Sequence, residues 1–518
     1  MKRVKRVSEI GALDGIGRST DPLIFRSAMA PPTATRITVH DAVLAFAFMG
    51  DLSMGRPTDH SHRTAWIAAR LAAQDGGTDR ECRAAHDVSL LRWSGCTANA
   101  AGFDHLLGDD VSGREALLAM RLPVDAERAA GIVPLAKIHC EVSGDIASQL
   151  GMDELVEAGL RNVFETWDGR GTPGQLAAHE VPSVVYYVTL ASDLEIFSRA
   201  HGLDAALAMI DRLAGAKYPA QLVKRIARMA PEWLAELDGE QSSRPLAMWE
   251  DSRANTGRDV ALELIADVVD LKLPWLAGQS RQVAACAGAT AAVLGLDAAT
   301  QSLLQRAGLI HAIGRAALPN HLWERARLSA SDRERIRLMP YWTFRAAGLI
   351  PGLKAEAELA SYAFERLDGS GYYRSLGGSA LTVPHRIMAA TVALVAMRSP
   401  RPWRPAHEAD AAATMLREEA AHGRFDAKVV EAAIAAIAGS TGSNGSRTYE
   451  PERAAVSLST RETDVLRRIS IGESNKEVAR ALGISPSTVR THIESVFRKL
   501  ECSTRAAATL KAFTQGLI

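Results

Sequence analysis

Arg490, Thr491 and Glu494 are polar residues whose spacing would place them on one face of an α-helix. An arginine guanidinium can donate two hydrogen bonds to the major-groove edge of guanine, and a glutamate carboxylate can accept one from cytosine. The segment that contains them, PSTVRTHIESVFRKL, also carries apolar residues three to four positions apart, which would face a core. The segment therefore predicts a helix with one buried face and one face able to read bases.

The residues before this segment predict a helix-turn-helix that would position it. Ser459 and Ser474 are each followed three residues later by a glutamate, which is the pattern of a capping box at a helix start. Ser485 and then Pro486 are both favoured at the beginning of a further helix. Gly483 ends the preceding helix, so the sequence predicts two short helices joined by a tight turn.

The stretch LSTRETDVLRRISIGESNKEVARALGISPSTVRTHIESVFRKLECSTRAAA resembles the LuxR (GerE-type) DNA-binding domain from end to end. The resemblance implies a four-helix domain over residues 456–518, with the helix from Pro486 in the major groove of double-stranded DNA. It also implies a homodimer, because the last helix of this family, here about 503–515, commonly pairs two copies. From residue 457 onward the chain has ten basic and six acidic residues, a local positive charge that suits phosphates.

Two kinds of contact with DNA are predicted for this domain. Base edges would be contacted by the three residues of the recognition face, which fix the sequence preference. Phosphates would be contacted by side chains near helix starts and ends, which position the domain without specifying a sequence. The predicted DNA-contacting residues are Lys476, Ser487, Thr488, Arg490, Thr491, Glu494 and Lys499.

The bulk composition excludes several other classes of protein. The 518 residues include 60 Lys plus Arg and 60 Asp plus Glu, so the chain has no global attraction to nucleic acid or to an anionic membrane. No apolar run reaches the length of about 18 residues that a transmembrane helix needs. The basic N-terminus has no apolar segment behind it, which argues against a secretory signal. Five cysteines without close pairing suit a reducing compartment, so we expect a cytoplasmic protein without a membrane partner.

Ala-rich runs with apolar residues three and four positions apart predict an all-α fold for the rest of the chain. Two polar stretches, 239–258 and the Gly- and Ser-rich 438–455, have no apolar face and predict linkers. The predicted organisation is a disordered or extended N-terminus (1–39), a helical domain (40–238), a linker (239–258), a second helical domain (259–437), a flexible linker (438–455) and the DNA-binding domain (456–518).

An internal repeat relates the two helical domains. FETWDGRGTP at 164–173 matches FERLDGSGY at 364–372, an offset of 200 residues. LLRWSGC at 90–96 matches LIHAIGR at 309–315, an offset of 219 residues. Because the landmarks recur in the same order, we predict two copies of one domain.

The second copy resembles an HD-GYP domain, a branch of the HD phosphohydrolases, through LIHAIGRAALPN, MPYWTFRAAG and FERLDGSGYYRSLGG. The first copy is similar to the same family through HSHR, SLLRWSGC, HCEV and WDGRGTP. Members of this family commonly bind metal ions and hydrolyse cyclic dinucleotides. That chemistry needs imidazoles and carboxylates from facing helices to hold the metals and to activate a water molecule.

Most of the metal ligands that the resemblance implies are absent from this chain. The first copy keeps His60, His139 and Asp193 at ligand positions, and the second copy keeps His311. The residues at the other ligand positions are Arg92, Trp93, Val163 and Phe164 in the first copy and Gln279, Ala312, Met339, Ala363, Phe364 and Thr391 in the second. We therefore expect vestigial ligands, no bound metal, no cofactor and no catalytic residue, so that the chain is a pseudoenzyme.

The loop around Asp368 and Tyr372 is retained in the second copy and could still border a ligand pocket. Nearby arginines could bind a phosphate group through two hydrogen bonds. The alternative is that the loop only shapes the fold, since its glycines suit a turn that Asp368 can cap. The residues predicted to line a pocket are Ser280, Arg281, Arg315, Glu365, Arg366, Asp368 and Tyr372.

Together these features predict a bacterial transcriptional regulator of the LuxR type, in which two degenerate HD-GYP-like domains act as a sensor or dimerisation module. Its effector would be a nucleotide or another small molecule. One alternative is a phosphodiesterase that uses His60, His139 and Asp193 of the first copy. The other alternative is a platform for protein docking that binds no small ligand.

Overall fold

The computed structural model describes residues 35–239, 257–440 and 456–518, which we call the first, second and C-terminal regions. The predicted N-terminal extension and most of both predicted linkers lie outside these residues. The all-α fold class is confirmed, because helices make up most of each region and the described strands form a single two-stranded ribbon.

The first region contains one strand and a series of helices whose starts follow from the local sequence. The side chains of Thr38, Thr78 and Asp125 each accept a hydrogen bond from a backbone N–H and so cap the helix that follows. Its elements are β1 (Arg36–Thr38), α1 (Val39–Ser53), α2 (His60–Gln74), α3 (Asp79–Leu91), α4 (Ala100–Leu107), α5 (Asp110–Leu118), α6 (Ala126–Gln149), α7 (Glu154–Arg161), α8 (Ser183–His201), α9 (Leu203–Arg212) and α10 (Ala220–Asp238).

The second region also begins with a short strand followed by helices, and the described C-terminal region contains four helices. The elements of the second region are β2 (Asp259–Ala261), α11 (Glu263–Asp270), α12 (Gln279–Val293), α13 (Ala298–Ile310), α14 (His321–Glu324), α15 (Ala330–Arg337), α16 (Met339–Ala347), α17 (Lys354–Ala360), α18 (Val383–Arg398), α19 (Ala409–Ala421) and α20 (Ala427–Ser440). Those of the C-terminal region are α21 (Thr460–Ser470), α22 (Asn475–Leu482), α23 (Pro486–Lys499) and α24 (Arg505–Thr514).

The first and second regions share an order of elements. In each, a short strand precedes the first helix, and β1 and β2 pair antiparallel with Ile37 opposite Val260. In each, two packed helices (α2 with α3, α12 with α13) lead into a short 3-10 turn, at Ser94–Cys96 or Ile313–Ala317. Each region therefore supplies one strand of a ribbon that ties it to the other.

A buried carboxylate fixes the second helix of each region in the same way. In the first region Asp51 accepts the backbone N–H of Ser61 at 3.2 Å and its hydroxyl at 2.6 Å. In the second region Asp270 accepts the N–H of Ser280 at 2.8 Å and its hydroxyl at 2.9 Å. The matching contacts show that the local frames around α2 and α12 are alike.

A buried ion pair locks the two regions together. Lys272 Nζ of the second region lies 2.6 Å from Asp110 Oδ2 of the first, and both side chains are at most 1% exposed. The other oxygen of Asp110 accepts the backbone N–H of Asn320 at 2.8 Å. Because a charge left alone at this depth is strongly destabilising, each partner depends on the other.

The described apolar interior forms one large cluster and two smaller ones, one of which is Met54, Trp93 and Cys96. The large one runs through the first and second regions and includes Ala507 and Leu510 of α24. The other small cluster is the core of the C-terminal region and includes Val465, Val489 and Val496. Helix α24 therefore lies between two cores. Within the described residues, no helix combines the length and the apolar character needed to cross a membrane.

Candidate DNA-binding surface and ligand cavity

Capped helices position the predicted recognition helix. The backbone N–H of Ser459 donates to the Glu462 carboxylate at 2.7 Å, and that of Ser474 donates to Glu477 at 2.7 Å, so both predicted capping boxes form. Gly483 ends α22 with a φ of 65°, in the left-handed region that glycine tolerates. The turn that follows directs the chain into α23, the helix predicted to contact bases.

The face of α23 that is predicted to read bases is open to solvent. The Arg490 and Glu494 side chains are 76% and 62% exposed, and Arg490 Nε donates to Glu494 at 2.8 Å. Thr491, Ser487 and Thr488 are exposed as well, while the opposite face of the helix packs into the core of the C-terminal region. A helix that projects polar side chains from one face in this way can enter a major groove.

The two lysines predicted to contact phosphates have different surroundings. Lys476 is exposed near the start of α22. Lys499 donates to Glu462 at 2.7 Å and to the Ser457 carbonyl at 3.1 Å. Burial would raise the pKa of Glu462, but hydrogen bonds led by the one from Lys499 hold that pKa at about 2. Lys499 thus fastens α23 to α21, and its contact with phosphate stays a prediction.

The last helix, α24, is held by polar contacts to α6 of the first region. Ser503 donates to Glu141 through its backbone N–H and through its hydroxyl, the latter at 3.2 Å. Lys511 Nζ lies 3.5 Å from Asp145 Oδ2, one turn further along α6. Burial raises the pKa of Asp145, against the opposing effect of Arg161 and Lys511. These contacts clamp both ends of α24 to one acidic face.

Apolar contacts complete the attachment of the C-terminal region. Ala507 and Leu510 have no exposed surface and belong to the large core rather than to the core of their own region. The second region also approaches closely, since a Cβ added to Gly278 would lie 3.0 Å from a ring carbon of Phe513. The face of α24 that carries these residues is therefore covered by the first and second regions.

The second region contains a cavity of about 280 Å³. Gln279, His311, Met339 and Phe364, which stand at positions where the family resemblance puts metal ligands, all line it. The cavity therefore occupies the place expected for an HD-GYP site. The charged and large aromatic side chains around it are Arg315, Arg325, Arg401, Trp275, Trp323, Phe364 and Trp403.

Arg315 is the most deeply buried charge at this cavity. Its guanidinium donates to Asp270 at 3.2 Å and to the Gln279 side-chain oxygen at 3.2 Å, but its Nε makes no hydrogen bond. Burial lowers the pKa of Arg315, against the opposing effect of Asp270. Burial and then Arg315 lower the pKa of His311 to about 4, so this imidazole is neutral near pH 7. His311 Nδ1 lies 2.7 Å from the Gly308 carbonyl and must donate there, which leaves Nε2 as an acceptor.

Of the seven residues predicted to line a pocket, the structure brings Arg315 to the cavity wall. Ser280 donates a hydrogen bond to Asp270, and Arg281 donates one to Asp267. The remaining four shape the retained loop. Glu365 accepts backbone N–H groups of Arg374 and Leu376, Arg366 stacks on Phe425, Asp368 accepts from Ser370, and Tyr372 stacks on Phe364. These contacts favour the interpretation that the loop holds the fold behind the cavity.

The corresponding place in the first region is filled by aromatic rings. The His139 ring lies 6.0 Å from Trp93 and 5.1 Å from Phe164, centre to centre. His139 Nε2 donates to the Arg92 carbonyl at 2.7 Å. Burial, with Arg114 and Arg92 nearby, lowers the pKa of His139 to about 3. This histidine is therefore a neutral member of a packed cluster.

The other two predicted vestigial ligands of the first region also have partners. His60 Nδ1 lies 2.8 Å from Glu195, and Asp193 accepts from Lys217 at 2.5 Å and from the Tyr218 hydroxyl at 2.7 Å. Within the described ranges no three His, Cys, Asp or Glu side chains converge as a metal site would require. The side chains as placed do not fit a metal centre, and the metal content of the chain stays a prediction.

Comparison with known proteins assigns two parts of the chain to families. Residues 263–429 match a family described as "HD domain", and residues 456–512 match "Bacterial regulatory proteins, luxR family". Over 70 residues, 14% of this chain and 33% of the relative, the sequence is 46% identical to a nitrate/nitrite response regulator protein homolog of Haemophilus influenzae. The chain thus contains an HD domain followed by a LuxR-type DNA-binding domain, as the sequence predicted.

Two phosphodiesterases of Vibrio cholerae are similar to parts of this chain. The chain is 25% identical to 3'3'-cGAMP-specific phosphodiesterase 3 over 404 residues, 71% of this chain and 88% of the relative. It is 31% identical to 3'3'-cGAMP-specific phosphodiesterase 1 over 172 residues, 33% of this chain and 40% of the relative. The crystal structure of a cyclic GMP-AMP-specific phosphodiesterase of V. cholerae superposes with a TM-score of 0.55 and 21% identity, over 78% of this chain and 98% of the other. This last likeness shows a common fold.

These relatives contradict the prediction that the chain is a pseudoenzyme. That prediction compared residues with a family motif one position at a time. Most of the chain is nevertheless similar to a phosphodiesterase. Because a folded chain can build a reactive site from side chains outside its motif positions, the loss of motif residues does not exclude an activity.

Several residues at these sites were not predicted from the sequence. Arg401 and Trp403 reach the cavity from the segment after α18, and Trp323 reaches it from α14. The run RPWRP at 401–405, with arginines next to tryptophan, was a usable signal for the first two. The acidic pair Glu141 and Asp145 on α6 gave no comparable signal, because their partners lie in the C-terminal region.

Proposed function

We propose that this protein is a sequence-specific DNA-binding transcriptional regulator. The observation that carries the proposal is the exposed face of α23, where Arg490, Thr491 and Glu494 project from a helix whose other face is packed. Arginine and glutamate can distinguish guanine and cytosine in the major groove. A regulator that binds a promoter would act on double-stranded DNA in the bacterial cytoplasm.

The first and second regions would act as a sensor module that controls α24. In the LuxR-type family the last helix commonly pairs two copies, and here its apolar residues Ala507 and Leu510 are covered by the other regions. A chain in this arrangement exposes its base-reading face but has no free α24 face for pairing. Release of α24 would allow two chains to bind paired half-sites about one helical turn apart. The resulting species would be a homodimer on DNA.

The test is selection of bound sequences from a pool of random duplexes, followed by affinity measurements on the selected site. Arg490→Ala should weaken binding to that site by about 1–3 kcal/mol and relax its base preference. Lys476→Ala, the matched control on a residue predicted to contact phosphate, should weaken binding to all sequences equally and lower the salt slope by about one. Failure to enrich any sequence, or equal losses for Arg490→Ala on selected and random DNA, would overturn the proposal.

A second candidate activity is phosphodiesterase action on a cyclic dinucleotide. The observation that favours it is the similarity over 71% of this chain to a protein named as a 3'3'-cGAMP-specific phosphodiesterase. The test is incubation of the purified full-length chain with 3'3'-cGAMP and added manganese or iron, with the products separated by chromatography. Linear dinucleotide formed in proportion to protein concentration would support this activity, and intact substrate with each metal would reject it.

A further inference from the structure

The cavity of the second region has a largely apolar wall. Every described lining side chain is aliphatic or aromatic except those of Gln279, His311, Arg315, Arg325 and Arg401. Two of the apolar side chains, Met339 and Phe364, stand where the family resemblance puts metal ligands. Removal of apolar surface from water is the main source of binding free energy in such a cavity. The wall therefore favours a ligand with a large apolar part.

Most polar groups at this wall already have partners within the protein. Arg315 donates to Asp270 and to the side-chain oxygen of Gln279, both at 3.2 Å, and Gln279 donates to Ser399 at 3.1 Å. His311 donates through Nδ1 to a backbone carbonyl at 2.7 Å. A ligand with many polar groups would have to break these hydrogen bonds or leave its own groups unpaired, and both are unfavourable. The cavity thus suits a ligand with few polar groups.

Arg401 is the exception, because it has no acidic partner among the described residues. The half-buried guanidinium donates to the Pro400 carbonyl at 3.3 Å, whereas Arg325 lies 3.1 Å from Asp332. Burial, with other arginines nearby, lowers the pKa of Arg401 to about 10, so this side chain is still charged near pH 7. A half-buried charge without a counterion favours an anion, and the planar arginine fork matches the two oxygens of a carboxylate.

We propose that the cavity binds a medium-chain alkyl carboxylate, with the carboxylate on Arg401 and the alkyl chain among the apolar side chains. Trp403, two residues from Arg401, is 43% exposed, so this end of the cavity meets solvent. Met339 is 1% exposed and belongs to the deeper wall, where the chain would lie. The cavity volume of about 280 Å³ is just below the range of about 300–1,000 Å³ for drug-sized ligands, which suits a chain of medium length.

The proposal deepens the sensor role and depends on that proposed function for its regulatory meaning. Trp275 and Gln279 line both the cavity and a narrow cleft whose wall includes Ile471 of the C-terminal region. A bound carboxylate would therefore lie next to the attachment of the DNA-binding region. Binding of the carboxylate is measured without DNA, so its failure and the failure of DNA recognition are separate results.

The experiment is isothermal titration of the full-length chain near neutral pH with hexanoate, octanoate and decanoate. One carboxylate should bind per chain, and the affinity should rise by about fourfold for each added methylene until the cavity is filled. Octan-1-ol has the same chain as octanoate without the charge, and it should bind at least tenfold more weakly. 5'-GMP, which carries many polar groups, should also bind more weakly than octanoate.

Arg401→Gln tests the carboxylate contact. This variant should weaken octanoate binding at least tenfold and leave octan-1-ol binding unchanged, because the alcohol does not need the guanidinium. That difference separates the loss of one contact from a general loss of structure. Arg417→Gln is the matched control, since Arg417 is an exposed residue of the same region whose side chain pairs with Glu431 at 2.7 Å. The control should leave the binding of both ligands unchanged.

A second variant tests the apolar wall without removing a charge. Ala396 is half-buried and lines the cavity on α18, so Ala396→Phe should fill the space and abolish binding of octanoate and octan-1-ol while the chain keeps a cooperative thermal transition. The proposal is overturned if octanoate does not bind at millimolar concentration, if affinity does not depend on chain length, or if 5'-GMP binds more tightly. It is also overturned if folded Arg401→Gln or Ala396→Phe protein binds octanoate like the wild type. If Ala396→Phe does not fold, the comparison of octanoate with octan-1-ol on Arg401→Gln decides alone.

Discussion

The first and second regions share their framework but differ in what occupies the centre. Both place a carboxylate on the start of the second helix, through Asp51 with Ser61 and Asp270 with Ser280. At the position where the first region packs Trp93 against His139, the second region has Ala312 and a cavity nearby. We therefore propose that the two regions divide the tasks: the filled first region supports the fold, and the second region keeps space for a ligand.

The first and second regions also make different contributions to the attachment of α24. The first region supplies the acidic clamp, Glu141 and Asp145, on the long helix α6. The second region supplies the close approach at Gly278, next to the helix α12 that carries the cavity residue Gln279. We therefore propose that a change near Gly278 in the second region would alter the contacts of α24.

The largest expected effect comes from removing the Trp93 ring from the packed cluster of the first region. Trp93→Ala removes a side chain that is 3% exposed, so the variant should lose about 3–5 kcal/mol in the free energy of unfolding measured with urea. Trp403→Ala is the control at the rim of the second region's cavity, and it should lose less than half as much because its ring is 43% exposed. Equal losses would mean that the two centres are packed alike and would break the comparison.

A smaller effect should appear in the pH dependence of stability. The pKa of His139 is about 3 in the folded chain and 6.5 in an unfolded one, so the unfolded state binds more protons between these values. Stability is then fully present above about pH 6.5 and is lost as the pH falls, by up to about 1.4 kcal/mol per pH unit. His139→Met, which copies the second region's Met339, should reduce the slope measured in urea titrations between about pH 6.5 and 4 by this amount, while His62 and His311 keep their contributions.

The control for this measurement is the exposed histidine of the second region, His422. His422→Met should leave the slope as it is in the wild type. A His139→Met curve that runs parallel to the wild-type curve over the whole range would show that His139 is not held neutral by its packing.

Asp51 should give the smallest of these effects and one of opposite sign. Burial raises the pKa of Asp51 to about 7 from 3.8, so the stability it contributes is present below about pH 4 and is lost as the pH rises toward 7. Asp51→Asn should therefore gain stability relative to the wild type as the pH rises through this window. Burial raises the pKa of Asp270 to about 6, so the stability that Asp270 contributes should be lost over a pH range that ends at a lower pH. Denaturation curves in which Asp51→Asn loses stability relative to the wild type as the pH rises would contradict this assignment.

The sequence predicted the C-terminal region well because its signals are local. Ser459 and Ser474 cap their helices through residues three positions away, and such contacts depend little on the rest of the fold. The contact of Lys499 with Glu462 could not be predicted from a local pattern, because Glu462 lies on another helix. The fold of the second region followed from its family resemblance, which locates motif positions.

The cavity and the attachment of α24 depend on contacts that no local pattern encodes. Arg401 and Arg315 line the same cavity only because the chain returns to it after α18, and Ser503 meets Glu141 across 362 residues of sequence. The motif positions held by Ala312 and Phe364 in the second region and by Trp93 and Phe164 in the first all suggested packing, yet the second region has a cavity and the first a filled cluster. The size of the surrounding side chains decides between these outcomes.

The central claim is that the first and second regions control DNA binding by holding α24, and Glu141→Lys tests it most directly. The substitution removes the acceptor of Ser503 and lies outside the DNA-binding region, while Glu127→Lys, exposed near the start of the same helix, is its control. Fluorescence anisotropy would compare duplexes that carry one or two copies of the selected half-site. Since a hydrogen bond to a charged group is worth about 1.5–3 kcal/mol, Glu141→Lys should tighten binding to the two-site duplex roughly tenfold and leave one-site binding and the control unchanged. Unchanged or weaker binding to the two-site duplex would contradict the account.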